Sequence, residues 1–270
     1  MLISTDARAA AQNDTVSMVD DQAYTGREYI GSAPKPGTPG YGQEVGGKEG
    51  APQAYLVMQP PHSVTRPHFH QTNQFQVFVN GGGTVGKLRV DPLTVQYAGA
   101  NTPYGPIQAE AEGVDYFTLR QRWDSGAKYL PEKSDMLVKG EQRQVVGGKA
   151  VSDAVALPEL GAEPHRETLI EPAEDGLFAE WLGVAPGGKA ALPDAGAGGG
   201  QYHVVVSGAL RRGDKELPKL SVEFALPDEG VVEVEAGANG LGLLLLRFPK
   251  ITVNTMPMVE APAIIAKAEL

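Results

Sequence analysis

The feature that most constrains the fold is an internal repeat. The run Gln74–Gly81 reads QFQVFVNG, and Gln201–Gly208 reads QYHVVVSG, 127 residues later. The pair Leu119-Arg120 returns as Leu246-Arg247 at the same offset. Each run has the length of a strand and ends at a glycine, which is typical of a strand followed by a turn. The repeat predicts two copies of one structural unit.

Two further echoes extend this repeat, with a drift that small loop insertions would explain. Leu56–Pro60 resembles Leu182–Pro186 at an offset of 126, and Gly99–Asn101 resembles Gly237–Asn239 at an offset of 138. The 34 glycines and 21 prolines punctuate short apolar runs throughout. Such frequent turn residues favour an all-β protein over a helical one.

Composition shifts divide the chain into five parts. The Gly- and Pro-rich N-terminal region is poorly periodic, and a second stretch of mixed charge, Gly and Pro separates the repeats. The division is 1–50 as an N-terminal arm or loop, 51–131 as the first repeat unit, 132–176 as a connection, 177–255 as the second repeat unit and 256–270 as a tail.

Charge and composition exclude several classes of function. The formal net charge of −10 disfavours a polyanion, so we expect no nucleic-acid partner. The absence of cysteine excludes disulfides, thiolate metal sites and cysteine nucleophiles. No apolar run has membrane-spanning length, and residues 1–13 lack the apolar core of a secretory signal. We therefore expect no membrane association and a cytoplasmic location.

A histidine pattern near the start of the first unit carries the chemistry. It reads His68-x-His70-x3-Gln74-x6-Gly81. On a strand, residues two apart point to the same face, so both histidines and Gln74 can face one side. Two imidazoles on one face are a good start for a borderline divalent metal. The alternative is a pair of polar histidines held by hydrogen bonds at a barrel mouth.

This pattern resembles the first motif of the cupin family, G-x5-H-x-H-x3,4-E-x6-G. The segment Pro103-Tyr-Gly105-x2-Gln108 is similar to the second cupin motif, G-x5-P-x-G-x2-H-x3-N. The resemblance implies two tandem jelly-roll barrels, the double-stranded β-helix of cupins. It also implies one divalent metal (Fe, Mn, Ni or Zn), in the first barrel only, with ligands His68, His70, Gln74 and Gln108.

Two glutamines depart from the family pattern. Gln74 stands where the family has a glutamate, and Gln108 stands where it has a third histidine. An amide oxygen can ligate a cation but adds no negative charge. A dication held only by neutral groups is poorly compensated in a low-dielectric interior.

The second unit lacks the histidines altogether. Counting back from Gln201 by the same spacing places Ala195 and Ala197 at the two positions. Alanine has no donor atom, so no metal site of this type is expected there. We expect the second barrel to pack against the first, to dimerise, or to close it; a homodimer is therefore one open arrangement.

Strand parity suggests which other side chains line a ligand pocket. Gln76 and Phe78 share a face with Gln74, and Tyr116 shares a face with Arg120. Arg120 could bind a carboxylate with two hydrogen bonds, or serve a structural role, since Arg247 repeats it. Tyr104 is expected at the rim. The substrate-binding set is then Gln76, Phe78, Tyr104, Tyr116 and Arg120.

Two functions remain open at this point. The first is a metal-dependent enzyme, since proteins with similar motifs act as dioxygenases, decarboxylases or isomerases on small organic acids or aromatics. The second is a metal-free, non-catalytic barrel that binds a small molecule. Fold resemblance cannot choose between them, because function resides in the site.

Overall fold

A computed structural model describes residues 2–42, 51–149 and 156–250. The described residues are mostly strand, with one short α-helix at Ala7–Ala10. Single 3₁₀ turns lie at Ala11–Asn13, Ser134–Met136, Leu157–Glu159, Ala195–Ala197 and Pro227–Glu229. No helix in the described ranges is both long and apolar enough to cross a membrane.

The first large sheet has nine strands and forms what we call the first barrel. Its central path runs β12-β9-β7-β10-β4-β3-β2, with β5 on β10 and β8 on β7. The strands are β2 (Asp14–Val19), β3 (Gln22–Ile30), β4 (Gln53–Gln59), β5 (Val64–Thr65), β7 (Gln74–Val85), β8 (Leu88–Val90), β9 (Thr94–Ala98), β10 (Ile107–Arg120) and β12 (Gln144–Lys149). A two-stranded sheet of β6 (His68–Phe69) and β11 (Lys128–Tyr129) lies beside them.

The second large sheet has eight strands and forms the second barrel. Its path runs β1-β18-β16-β19-β14-β13, with β15 on β19 and β17 on β16. The strands are β1 (Leu2–Thr5), β13 (His165–Ile170), β14 (Phe178–Val184), β15 (Lys189–Ala191), β16 (Gln201–Arg212), β17 (Lys215–Pro218), β18 (Val222–Ala225) and β19 (Glu233–Arg247). The chain is therefore all-β, with two cupin-type jelly-roll barrels in tandem, as the sequence predicts.

The repeat is visible in the backbone itself. β7 pairs with β10 as β16 pairs with β19, and each pair skips one residue, Val79 in one barrel and Val206 in the other. Leu93 and Leu220 both have φ of +70°. These counterparts all differ by 127, the offset of the Gln and Arg matches.

Two of the four sequence echoes are aligned differently in the structure. Leu56 pairs with Phe117, and its counterpart Trp181 pairs with Leu244, so the true offset there is 125 rather than 126. A shift of one residue exchanges the two faces of a strand. The Gly-Ala-Asn echo is wrong, because Gly99–Asn101 lies in a turn whereas Gly237–Asn239 lies inside β19.

The N-terminal region is not the arm or loop that its sequence suggests. β2 and β3 form a hairpin that extends the first sheet, and β1 pairs with β18 of the second barrel. The hairpin turn is Asp20-Asp21, with φ of +46° and +63°. Two residues of positive φ are what a two-residue hairpin turn requires, and Asn-Gly or Asp-Gly is its usual signal. Because the turn is Asp-Asp, the sequence lacks the usual signal for this hairpin.

The connection also contributes strands. β12 pairs with β9 at one edge of the first sheet, and β13 pairs with β14 at the edge of the second. The domain limits drawn from composition remain a prediction. Strands from outside the two repeat units, such as β3 and β13, complete both sheets.

A large hydrophobic core lies between the barrels. One face of β7 supplies Phe75 and Val77 to it, and Trp181, Tyr202 and Phe248 come from the second half. Phe75 and Phe248 meet edge to face, with ring centroids 4.9 Å apart. The opposite strand faces point into the barrels. The shared core fixes the two barrels against each other and leaves the interior of the first for polar groups.

Candidate functional site in the first barrel

The structure brings together four of the predicted side chains inside the first barrel. His68, His70, Gln74 and Tyr104 are all buried there. The rings of His68 and His70 are 5.3 Å apart and nearly perpendicular. His68 reaches this position because β6 forms a backbone bridge to Tyr104. The spacing of the histidine motif therefore does gather these groups at one site.

A chain of hydrogen bonds fixes the proton on His68. Its Nδ1 is 2.8 Å from the carbonyl oxygen of Arg66, which can only accept, so Nδ1 donates. Its Nε2 is then an acceptor, and the Tyr104 hydroxyl donates to it at 2.8 Å. Gln74 Nε2 donates to the same hydroxyl oxygen at 2.5 Å. Tyr104 thus covers the lone pair with which His68 would bind a metal.

His70 is fixed in the same way by Asp124. The Nδ1 of His70 lies 2.8 Å from Asp124 Oδ1, and a carboxylate accepts, so Nε2 again carries the lone pair. Arg120 Nη2 lies near both nitrogens of this ring, 3.1 Å from Nδ1 and 3.2 Å from Nε2. Burial lowers the pKa of His68 to about 4. Burial and Arg120 lower the pKa of His70 well below its usual range, so both rings are neutral at pH 7.

Arg120 is fully buried and binds the surrounding amides. Its Nη1 donates to Gln53 Oε1 at 2.6 Å, and its Nη2 and Nε donate to Gln74 Oε1 at 3.0 Å and 3.2 Å. The guanidinium carbon lies 5.5 Å from the ring centre of Tyr55. Arg120 therefore sits against two of the four expected metal ligands, with no acidic side chain of the described residues among its hydrogen-bond partners.

Asp124 supplies the nearest negative charge. It bonds His70, and its Oδ2 accepts from Lys128 Nζ at 3.1 Å and from the Gln71 backbone at 3.0 Å. Burial raises the pKa of Asp124, but His70, Arg120 and Lys128 lower it more, so the carboxyl stays ionised. Asp124 both orients His70 and balances the buried cations.

Gln108 is not part of the site, which corrects the fourth expected ligand. It is exposed, and Thr84 Oγ1 donates to its Oε1 at 3.3 Å on the outside of the sheet. The reason is strand parity, because its neighbours Ile107 and Ala109 are the buried residues at the start of β10. Tyr104, four residues before Gln108, enters the barrel instead.

The remaining pocket predictions divide into three outcomes. Gln76, Tyr104 and Tyr116 line a cavity in the first barrel. Phe78 instead packs into the apolar part of the barrel, 5.4 Å from the ring of Tyr116, and does not line this cavity. Arg120 lies behind the cavity floor, covered by other side chains.

The cavity has an aromatic wall and a polar floor. Its volume is about 100 Å³, and no acidic side chain of the described residues lines it. Its floor is formed by His68, His70, Gln76 and Thr118. Six tyrosines surround it: Tyr24, Tyr41, Tyr55, Tyr104, Tyr116 and Tyr129.

The N-terminal segment closes this cavity. Thr15, Ser17 and Tyr24 from the β2–β3 hairpin line it, as do residues 33–36 of the following loop. Tyr41 packs on the backbone of Gly126, where an added Cβ would lie 2.5 Å from the tyrosine ring. The supposed arm is thus part of the cavity wall.

The residues present do not fit a bound divalent metal. Tyr104 engages the lone pair of His68, and the Arg120 guanidinium lies within 3.2 Å of both nitrogens of His70. A dication at these nitrogens would also meet the buried guanidinium at close range. Among the described residues, no three His, Cys, Asp or Glu side chains gather as a metal cluster would need.

The second barrel keeps no counterpart of the histidine pair. Ala195 and Ala197 lie in a 3₁₀ turn capped by Asp194. A different buried group occupies this barrel, in which Glu223 accepts from Arg212 at 2.7 Å and lies 3.4 Å from His203. Above it the interior is filled by aliphatic side chains such as Leu243 and Leu245.

Several site residues were missed by sequence reasoning. Asp124, Lys128 and Gln53 complete the hydrogen-bond network, and Tyr24 and Tyr129 line the cavity. None lies in a recognisable motif. Only Gln53 offered a signal, because a polar residue at the end of a strongly apolar strand is a candidate for an internal hydrogen bond.

No protein-family model and no curated protein sequence matches the chain. Solved structures do match it in fold. One is a protein from Nostoc punctiforme provisionally described as a dioxygenase, with a TM-score of 0.59 and 10% identity over 94% of this chain and 85% of that one. Another is a pirin from Escherichia coli in complex with nickel(II), with a TM-score of 0.53 and 10% identity over 93% of this chain and 100% of that one.

A third similar structure is oxalate decarboxylase from Bacillus subtilis, studied for its Mn(II) centres. Its TM-score is 0.54, with 13% identity over 99% of this chain and 85% of that one. At such identities the likeness concerns the fold and leaves the site to be judged on its own residues. The chain therefore has the cupin fold, built as two jelly-roll barrels in one polypeptide.

Proposed function

We propose that the first barrel binds a small aromatic molecule in its tyrosine-lined cavity, without a metal. The observation that carries this proposal is the cavity itself. Its lining combines apolar rings with a few convergent polar groups, as the lining of small-molecule sites does. Offset or edge-to-face contacts with tyrosine rings favour a flat aromatic ligand.

The polar floor gives the ligand its orientation. Gln76 of β7 and Thr118 of β10 lie directly opposite each other in the sheet, and both line the cavity. Beside them, neutral His68 and His70 are held by Arg66 O and Asp124. A hydroxyl or carboxylate group on the ligand could accept hydrogen bonds from Gln76 Nε2 and the Thr118 hydroxyl, while its ring rests against the tyrosines.

The metal-dependent, dioxygenase-like enzyme remains the competing interpretation. Nickel and manganese are named for two proteins of similar fold. In this chain Arg120 and Tyr104 engage the imidazole lone pairs instead, which favours metal-free binding. Stoichiometric metal in the purified protein, lost on substitution of His68 and His70, would favour the enzyme.

Thermal melting with aromatic probes tests the proposal. Chelator-treated protein is melted with 4-hydroxybenzoate, with catechol and, as the aliphatic comparison, with succinate. A ligand at about 100 times its Kd stabilises the folded state by about 2.7 kcal/mol, which raises Tm by several degrees. We expect at least one aromatic probe to give such a shift and succinate to give none.

Two variants locate the effect. Thr118→Leu and Tyr116→Leu introduce the side chains that the second barrel has at its counterpart positions, Leu245 and Leu243. Both should abolish the shift by filling or reshaping the cavity. Tyr97→Phe is the control, because Tyr97 is buried in the core between the barrels. An aromatic shift that survived both cavity variants would refute this site.

A further inference from the structure

Two of the four groups that the cupin resemblance assigns to a metal, His70 and Gln74, contact Arg120 instead. Its guanidinium lies 3.0 Å from Gln74 Oε1, and 3.1 Å and 3.2 Å from Nδ1 and Nε2 of His70. Gln74 Oε1 and His70 Nε2 are the atoms with which these residues would coordinate a cation. The guanidinium is itself a cation, and it is fully buried at their centre.

The hydrogen bonds around Arg120 are of the kind a cation site supplies. Its hydrogen-bond partners are oxygen and nitrogen atoms of the neutral side chains Gln53, Gln74 and His70. A buried charge is tolerated when it is well hydrogen-bonded and a countercharge lies nearby. Asp124 provides that countercharge from behind His70, to which it is bonded.

The identity of Gln74 fits the same arrangement. Its Oε1 accepts from Arg120, while its Nε2 donates to Tyr104. A glutamate could make the first bond but not the second, because an ionised carboxylate only accepts. The Gln74 amide thus links Arg120 to Tyr104, which in turn donates to His68.

The second barrel shows that this placement is not forced by the fold. Arg247 is the counterpart of Arg120, yet it donates to the backbone carbonyls of Gly176 and Asp194. Gln201, the counterpart of Gln74, bonds His203 at 3.0 Å and makes no bond to Arg247 in the described residues. Among the described residues, only the arginine of the first barrel contacts the side chains at the expected metal-ligand positions.

We infer that the Arg120 guanidinium is a built-in cation that occupies the metal position of the first barrel. It saturates His70 and Gln74 and repels any divalent ion that approaches them. The first barrel is then a latent metal site whose metal has been replaced by a side chain. This inference does not depend on the identity of the ligand in the tyrosine-lined cavity.

Removing the guanidinium should restore metal binding. Arg120→Met keeps much of the side-chain volume and removes the charge, which frees His70 Nε2. Adding Gln74→Glu supplies a carboxylate that can accept from the Tyr104 hydroxyl, which frees His68 Nε2. We measure binding of NiCl2, MnCl2 and ZnCl2 by calorimetry, and metal content after dialysis by elemental analysis.

The double variant should bind one Ni, Mn or Zn ion per chain at least tenfold more tightly than the native protein. Further substitution of His68 and His70 by Ala should abolish this gain. Arg247→Met is the matched control and should gain no metal. A folded double variant with no gain over the native protein would overturn the inference.

A measurement on the native protein covers the case in which Arg120 variants do not fold. Side-chain nitrogen NMR follows the His68 and His70 rings while NiCl2 is added. We expect their resonances to stay sharp, whereas exposed His62 serves as the internal comparison for weak surface binding. Selective paramagnetic broadening of His68 and His70 would show that nickel enters the native site and would contradict the inference.

Discussion

The two barrels share a polar frame but differ in what fills the space above it. Gln74, Gln76 and Arg120 of the first have Gln201, His203 and Arg247 as counterparts in the second. Beyond these, the first barrel has Tyr116 and Thr118 beside a cavity, whereas the second has Leu243 and Leu245 within an aliphatic core. The first barrel therefore encloses a cavity, whereas the second is filled by its own side chains.

This difference has a simple physical origin. Aliphatic side chains pack to high density and leave no room for a ligand. A buried tyrosine hydroxyl needs a hydrogen-bond partner, which a ligand in the cavity can supply.

Asp124→Ala should destabilise the protein by about 3–5 kcal/mol, because Lys128 and Arg120 lose their buried countercharge and neutral His70 loses its hydrogen-bond partner. Glu223→Ala in the second barrel should cost less, because its partner Arg212 is 23% exposed, whereas Lys128 is 1% exposed. Denaturant unfolding measures both. Equal losses would contradict the idea that the deeper charge network lies in the first barrel.

Leu245→Ala should cost about 2–5 kcal/mol, as is usual when a buried leucine is truncated in a packed core. Its counterpart Thr118→Ala should cost under about 1 kcal/mol, because Thr118 borders a cavity and little packing is lost. The two free energies of unfolding are compared under the same conditions. A large loss at Thr118 would mean that the first barrel is also tightly filled.

Acidification should weaken the first barrel through His68. Its pKa falls from 6.5 to about 4 on folding, so the unfolded chain binds more protons between these values. Stability is therefore lost as the pH falls, by about 2 kcal/mol between pH 7 and pH 5 from this one group. His68→Gln should flatten this slope in pH-dependent unfolding. An unchanged slope would show that His68 does not remain neutral in the fold.

Gln108→Ala should have the smallest effect, within about 0.5 kcal/mol, because the side chain is exposed on the outer face of the sheet. It should also leave the binding of any aromatic probe unchanged. Calorimetric titration of the variant and the native protein checks this. A substantial loss of binding would show that Gln108 contributes to the site despite its exposed position.

Much of the fold could be predicted from the sequence, because strand alternation and the 127-residue repeat can both be read from the residues, and both persist in the structure. The histidine pair and Gln74 were found through their resemblance to the cupin motif, although His68 lies on β6 and Gln74 begins β7. The hairpin of residues 14–30 was not, because Asp20-Asp21 is a rare turn sequence. A false Gly-Ala-Asn echo shows how easily three small residues recur by chance.

The site itself was harder to predict, since its chemistry depends on contacts between distant segments. Asp124 lies 54 residues from His70 along the chain, and Gln53 lies 67 residues from Arg120. No periodicity reports such contacts. Nor could parity reveal that Arg120 would bind the metal-ligand candidates rather than a substrate.

The central claim is that the first barrel holds a guanidinium where a metal would lie. Anomalous diffraction from crystals of the purified protein, recorded above the Mn, Fe, Ni and Zn absorption edges, tests it most directly. We predict no anomalous peak near His68 and His70, and clear density for Arg120 between His70 and Gln74. A peak about 2.0–2.1 Å from the Nε2 atoms of the two histidines would contradict the account.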